Sequence, residues 1–311
     1  MCSLFGVIDF NNSLTKNQLD LTVNTLARVC ESRGSDASGI AYNHGGGNLR
    51  IFKRPKPAHK LRFKVPTGTS VVMGHTRLAT QGDQEINRNN HPFGGWVPGH
   101  SFSLAHNGVI WNDEDIRKEL SLPKTNIETD SYVAVQMIED SGKLDFMSLA
   151  AMAERLDGSF TFTLLDDADT IYFVKGNNPC DIFHFQKSGL YLYASTKELL
   201  ELAVSKLNFL KFHGKREEII FGMGNILRID KTGRSMSEFN TDRLMLREYG
   251  LLSDRYTSAD ILYEPESTES YLDDLKSVAG VFGFSPGEVE TMAASGMTPD
   301  EIESCFYDGW F

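Results

Sequence analysis

Long apolar runs are missing from this chain. No stretch of "MCSLFGVIDF" onward approaches the roughly 18 to 20 apolar residues that a membrane-spanning helix requires. The first residues also lack a basic segment ahead of their short apolar run, so neither a membrane association nor a secretory leader is expected. Cysteine is scarce as well, with four in 311 residues, at positions 2, 30, 180 and 305. Their spacing holds no C-x-x-C pair and no H-E-x-x-H occurs, which leaves no metal site to expect and no disulfide framework. Scattered thiols suit a reducing compartment, and the expectation is cytoplasm, or host cytoplasm for a viral gene. No Gly-Lys-Ser/Thr follows the glycines at 45–47, so that run is a hairpin tip rather than a phosphate loop.

Positive charge is in short supply at one end only. The chain carries 31 Lys/Arg against 42 Asp/Glu, a formal net charge of −11. From Glu238 to Phe311 there are 4 Lys/Arg against 16 Asp/Glu, so the first 237 residues are close to neutral. Phosphate contacts need cations, and no nucleic acid is expected on the acidic segment. A basic protein surface would suit it, and a solvated tail without a partner is the alternative.

What remains is the composition of an ordinary globular protein, 41% hydrophobic, 11% aromatic and 23% charged, enough for a sizeable core and more than one domain. "LFGVIDF", "ASGIAYN", "LRIFKR", "SVVMGHTRLA", "SFSLAHNGVI", "SFTFTLLDD", "TIYFVKG", "LYLYAS" and "GNILRID" have the length and turn-residue borders of strands. Helical periodicity covers Lys16–Glu31, Asp113–Leu120, Thr129–Asp140, Asp145–Leu156 and Thr196–Lys206. Strands grouped before and after a central helical pair predict an α+β class with two packed sheets and helices outside them.

Cys2 is the residue with the sharpest chemical possibility. Trimming of Met1, which a small side chain at position 2 normally permits, would put a thiol and a free α-amine on one residue at the start of a strand. A thiol near its usual pKa is only a few per cent thiolate at neutral pH and needs a base. An α-amine, with a reference pKa of roughly 7.7 to 8.0, suits that task. The alternative is a Cys2 that merely packs as a small apolar residue.

Five segments follow in order: "RGSDASGIAY" at Arg33–Tyr42, "MGHTRLATQG" at Met73–Gly82, "NNHPFGG" at Asn89–Gly95, "LAHNGVIWND" at Leu104–Asp113 and "ETDSYV" at Glu128–Val133. With Cys2 they resemble the glutaminase domain of class II glutamine amidotransferases, within the N-terminal nucleophile hydrolases, over roughly Cys2 to Arg234. The resemblance implies an αββα sandwich of two mainly antiparallel sheets, glutamine as substrate and no cofactor.

Glutamine presents a carboxylate, an α-ammonium and a neutral amide, and each has a candidate partner here. Arg77 can hold the carboxylate as a bidentate fork, with a hydroxyl contact from Thr80. The resemblance assigns Asp130 to the ammonium; its alternative is a helix N-cap. It assigns the Asn107 side-chain amide and the Gly108 N–H to the oxyanion, where a hairpin turn would also explain Asn-Gly. Arg33 resembles an arginine near the family's nucleophile, where a cation would favour thiolate. His75, His91 and His106 lie close to these motifs and offer a rival Cys-His pairing, but they read better as structural residues.

The implied domain layout is a glutaminase over 1–235, an acidic connecting segment over 236–270 and a small helical module over 271–311. In the last, Ser285-Pro286 and Thr298-Pro299 are N-cap and N1 pairs, and Phe306, Tyr307, Trp310 and Phe311 make an aromatic end suited to docking or to packing. The 77 residues after Arg234 are too few for the synthase domains fused to larger amidotransferases. The ammonia acceptor is therefore expected on a separate partner protein, and a homo-oligomer is compatible with the chain. Two other readings stand: an enzyme acting on another γ-glutamyl amide, and a catalytically idle glutamine-binding or scaffold module.

Overall fold

The computed structural model describes residues 2–45, 47–248, 272, 275–276, 279, 284–298, 301–302 and 305. The chain divides into two compact units, Met1–Leu252 and Ser253–Phe311. The larger contains β1 (Ser3–Ile8), α1 (Lys16–Cys30), β2 (Ala37–Asn43), β3 (Leu49–Arg54), β4 (Val71–Arg77), β5 (Phe93–Val97) and β6 (His100–Ile110). It continues with α2 (Asp113–Glu119), α3 (Tyr132–Ser141), α4 (Phe146–Arg155), β7 (Gly158–Asp166), β8 (Ile171–Lys175), β9 (Asp181–Phe185), β10 (Leu190–Ala194) and α5 (Lys197–Lys206). β11 (Arg216–Glu218), β12 (Asn225–Asp230), β13 (Gly233–Glu238) and α6 (Asp242–Glu248) complete it.

The strands form two sheets, one ordered β11-β9-β10-β1-β4-β2-β3 and the other β13-β12-β8-β7-β6-β5. Every pairing among them is antiparallel. β1 shows why the layers stack as they do. Its side chains alternate between faces, with Phe5 and Val7 joining α1 and α5 residues such as Val23, Leu26 and Leu200 in one cluster. Leu4 and Ile8 point the other way, into a cluster shared with Ala105, Leu165 and Phe173 of the second sheet. Both faces are covered, so all six residues of β1 are buried and the strand reads as a continuous apolar run. α3 and α4 cover the outer face of the second sheet through Val133, Ile138, Leu149 and Met152 against Leu104 and Phe162. The result is the expected αββα sandwich.

Local chemistry fixes the helix ends. Thr15 and Gln18 close a capping box on α1, and Asp145 and Ser148 do the same for α4. α3 starts at Tyr132, later than the periodicity suggests, and Asp130 is not its N-cap.

Four strands escaped the sequence pattern. β5 is "FGGWV", whose two glycines suppress its strand signal; a Cβ on Gly95 would lie 2.3 Å from the Phe102 ring, which fills that space. β9 is a short run, β11 has three residues, and β13 is polar and exposed, with no buried face for a pattern to report. β13 also corrects the expected boundary at 235. It pairs with β12 through Asn225↔Glu238, and Phe239 and Leu244 beyond it are buried in the core of the second sheet. The first unit therefore runs well past that position.

In the smaller unit α7 (Pro286–Ala294) is capped by Ser285 and Glu288 with proline in its first turn, as the Ser-Pro pair predicts. Thr298 and Glu301 exchange the same kind of bonds. Leu275, Ala279, Val289 and Ile302 form its buried cluster. The expected aromatic end and most of the expected connecting segment lie outside the described residues.

A side chain at Gly6 has no room, since its Cβ would sit 2.3 Å from the Val72 carbonyl oxygen and 2.4 Å from the Tyr193 ring. Gly6→Ala should lower the unfolding free energy by about 1–3 kcal/mol in urea titration; an unchanged midpoint would contradict this packing.

Candidate active site

The ends of β1 and β4 build the centre of the site. Ser3 pairs with Thr76, so Cys2, one residue ahead of β1, falls opposite Arg77 at the end of β4. The Cys2 side chain is largely buried, and its thiol donates to the Leu78 carbonyl at 3.4 Å. Burial pushes the Cys2 thiol above its ordinary value, against the Leu78 bond and the nearby Arg77 cation, while Asp130 pushes the same way as burial. At rest the thiol is therefore protonated.

Arg33 lies beside the nucleophile, as expected: its Nε–H donates to the Cys2 main-chain carbonyl at 3.2 Å and so anchors the backbone there, while Arg77 is a second cation near the thiol. Gly34, next to it, lies against the next strand end: a Cβ there would be 2.5 Å from the Arg77 carbonyl carbon. Asp36 then closes the corner by accepting from the Ala79 N–H at 2.8 Å.

Arg77 is 2% exposed and is no free fork. A guanidinium this deep needs its N–H groups paired. Nη1 donates to Asn90 Oδ1 at 2.7 Å, and Nη2 donates to the carbonyls of Gln81 and Gly82. In this structure Nη2 holds the loop that follows β4 with both of its protons. Thr80 lies exposed on that same loop.

Asp130 is buried and ties two elements together. Its Oδ2 accepts from the Ile110 N–H at 2.6 Å, at the end of β6, and Ser131 Oγ lies 3.2 Å from Oδ1. Asn107 and Gly108 sit inside β6, three and two residues before Ile110, so the Asn-Gly pair is not a turn. Gly108 has φ +144°, and a Cβ there would lie 1.9 Å from the Ser159 carbonyl oxygen, which restricts the position to glycine. The Asn107 side-chain nitrogen is buried without a hydrogen-bond partner. An amide donor left unsatisfied in a buried site is costly, and such groups recur where a ligand will supply the acceptor.

The three histidines form one neutral cluster behind these residues. His75 Nε2 bonds the His106 carbonyl at 2.9 Å, the His91 ring packs tilted against His75 with centroids 4.2 Å apart, and His106 Nδ1 meets Ser131 Oγ at 2.7 Å. Burial lowers all three, His75 to about 3 and His91 well below its ordinary value. They cross-brace β4 and β6, and none is hydrogen-bonded to Cys2. No group of three His, Cys, Asp or Glu side chains among the described residues is arranged to hold a metal ion.

Sequence reasoning missed Asn90, which holds Arg77, and Asn178, whose Nδ2 donates to the Asn107 carbonyl at 2.8 Å. Asn90 lies inside "NNHPFGG" but carried no signal of its own. "GNNP" has the composition of a loop, and nothing local says that it reaches β6.

Two facing antiparallel sheets with helices outside them, and a cysteine at the head of a central strand, are the arrangement that the sequence resemblance implies. A family model described as a glutamine amidotransferase domain matches residues 75–201. Glutamine–fructose-6-phosphate aminotransferase from Lactococcus lactis is 28% identical over 261 residues, covering 80% of this chain and 41% of that protein. The protein of the same name from Staphylococcus aureus is 33% identical over 192 residues, covering 58% of this chain and 30% of that protein. The chain thus spans less than half the length of these relatives. Glutamine phosphoribosylpyrophosphate amidotransferase from B. subtilis shares the fold, with a TM-score of 0.60 at 19% identity over 78% of this chain and 50% of that one. Residues 75–201 thus match a glutamine amidotransferase domain, in line with the resemblance of the sequence to the class II enzymes.

Each buried histidine has a folded-state value below its ordinary 6.5. The unfolded chain therefore takes up protons below about pH 6.5 that the folded chain refuses, and stability is full above that pH and lost below it, by up to about 1.4 kcal/mol per pH unit per histidine. The urea midpoint should fall between pH 7.5 and pH 5, and His91→Phe should flatten the difference. Equal midpoints in the unsubstituted protein would contradict neutral burial.

Proposed function

We propose that the chain hydrolyses the side-chain amide of glutamine to glutamate and ammonia through a thioester on Cys2. One observation carries this: the partnerless, buried Asn107 amide lies beside Gly108 on a strand whose end is tied to Asp130, and Asp130 and Arg77 both act on the Cys2 thiol. A nucleophile, an oxyanion donor, a carboxylate and a guanidinium are the four groups that glutamine's chemistry asks for.

On this reading removal of Met1 exposes the Cys2 α-amine. The amine takes the thiol proton as sulfur attacks the amide carbon, which suits a thiol that burial keeps protonated at rest. Asn107 Nδ2 and the Gly108 N–H receive the oxyanion. The same amine returns the proton to the departing nitrogen, ammonia leaves, and water cleaves the thioester. Asp130 receives the substrate ammonium, and Arg77, with Thr80 beside it, receives the carboxylate once Gln81 and Gly82 yield their bonds. Arg33 serves by holding the Cys2 carbonyl.

Ammonia then passes to an acceptor enzyme on another chain, docked through the acidic C-terminal part. The layout in function is a glutaminase followed by a small helical docking module. No helix among the described residues is long and apolar enough to cross a membrane, and a cytoplasmic setting fits the proposal.

Treatment with 6-diazo-5-oxo-norleucine should give one adduct on Cys2 by peptide mass spectrometry, with Met1 removed. Cys2→Ala should fold normally and release no glutamate; retained turnover would end the proposal. Arg77→Lys should raise KM for glutamine at least about tenfold with a smaller effect on kcat, since a single ammonium cannot replace the fork. An unchanged KM would remove Arg77 from the carboxylate site.

A further inference from the structure

The loop after β8 crosses the end of β7 to reach β6, and its construction is specific. The β7–β8 pairing ends at Thr161↔Lys175. Beyond it Gly176 approaches so closely that a Cβ would lie 2.3 Å from the Phe160 carbonyl oxygen. Asn177 Oδ1 accepts from the Phe160 N–H at 3.1 Å, continuing the ladder with a side chain. The Asn178 carbonyl is gripped twice, by Thr161 Oγ1 at 2.6 Å and by the Lys175 ammonium. Its side chain is thereby delivered to the Asn107 carbonyl at 2.8 Å, with Nδ2 only 2.6 Å from where a Gly108 Cβ would stand.

The Asn107 carbonyl and the Gly108 N–H belong to one peptide unit. That unit is planar and trans, so its C=O and N–H point in opposite directions and cannot be aimed separately. Glycine at 108 leaves the peptide freer to rotate than any other residue would. We infer that Asn178 is a positioning residue for the oxyanion hole: by holding the Asn107 carbonyl it aims the Gly108 N–H at the reacting centre. The catalytic part of this inference rests on the proposed glutaminase chemistry; the aiming itself does not. Asn178 touches neither the nucleophile nor the Arg77 network in the bonds described, so its effect belongs in kcat and not in substrate affinity.

Asn178→Asp keeps the shape and replaces the donor by an acceptor facing a carbonyl oxygen. In the purified full chain, kcat for glutamate release should fall on the order of tenfold or more in N178A and further in N178D, with KM within about twofold, since one oxyanion donor is typically worth 10²–10³ in kcat. The loss in N178D should shrink as pH falls toward the ordinary carboxyl range, where a protonated carboxyl donates again. A purely structural role would not give that recovery. Asn107-Gly108 is the one Asn-Gly pair in the sequence, so joint labelling with carbonyl-13C asparagine and 15N glycine isolates a single amide resonance. That resonance should shift, and its hydrogen exchange should speed up, in both variants. An unmoved Gly108 resonance, or unchanged kcat in N178D, would overturn the inference. A parallel loss of kcat, KM and melting temperature would overturn it equally, as general damage. An unsubstituted protein that releases no glutamate would instead remove the glutaminase reading, and the Gly108 resonance would still decide whether Asn178 aims the peptide.

Discussion

A guanidinium 2% exposed sets the terms for everything around it. Burying Arg77 costs free energy that only pairing offsets, and its partners define the local architecture. Asn90 and the loop carbonyls of Gln81 and Gly82 accept from its N–H groups, while Asp130, Asp36 and Asp83 favour its charge. Once that cation is fixed, further positive charge nearby is disfavoured. Lys53, whose ammonium reaches the Asn90 carbonyl, falls to about 8 through burial and the Arg77 charge, and His75 and His91 stay neutral partly for the same reason. The histidine cluster therefore braces two sheets without adding to the field at the thiol.

Close backbone approach is the second constraint. Gly34 lies on Arg77, Gly39 on the His91 carbonyl, Gly108 on the Ser159 carbonyl and Gly176 on Phe160, each at a distance no Cβ survives. These positions sit where strands carrying site residues meet. The site is thus assembled by contacts between main chains, which move less than side chains do, and small residues mark the joints.

The elements with strong period-two or helical patterns were legible because each buries one or both faces against a partner. Ala37–Asn43 is visible in the sequence as the same seven residues that pair in the sheet. β13 was not, since an exposed polar strand has no hydrophobic face to betray it; its membership comes only from pairing with β12. For the site, Cys2, Arg77 and Asp130 were recognisable by type and order, but not what holds them. That Arg77 is already bonded, and that Arg33 grips the Cys2 carbonyl, are tertiary facts. Asn178 lies 71 residues from its partner Asn107, and no local pattern encodes a bond of that span.

A buried thiol pushed upward in pKa looks ill suited to attack, yet the direction is consistent with a base that belongs to the same residue. A standing thiolate would be open to oxidation and to unrelated electrophiles. In the mechanism we propose, a protonated thiol beside its own amine instead becomes nucleophilic as the proton moves during attack, and the negative charge passes at once to the oxyanion donors. The charge on sulfur is then needed only transiently. On that view the demand falls on the Asn107 amide and the Gly108 N–H, which must already point at the oxyanion when it forms. A peptide held from behind by Asn178, across a strand end with no room for a Cβ, meets that demand before substrate arrives.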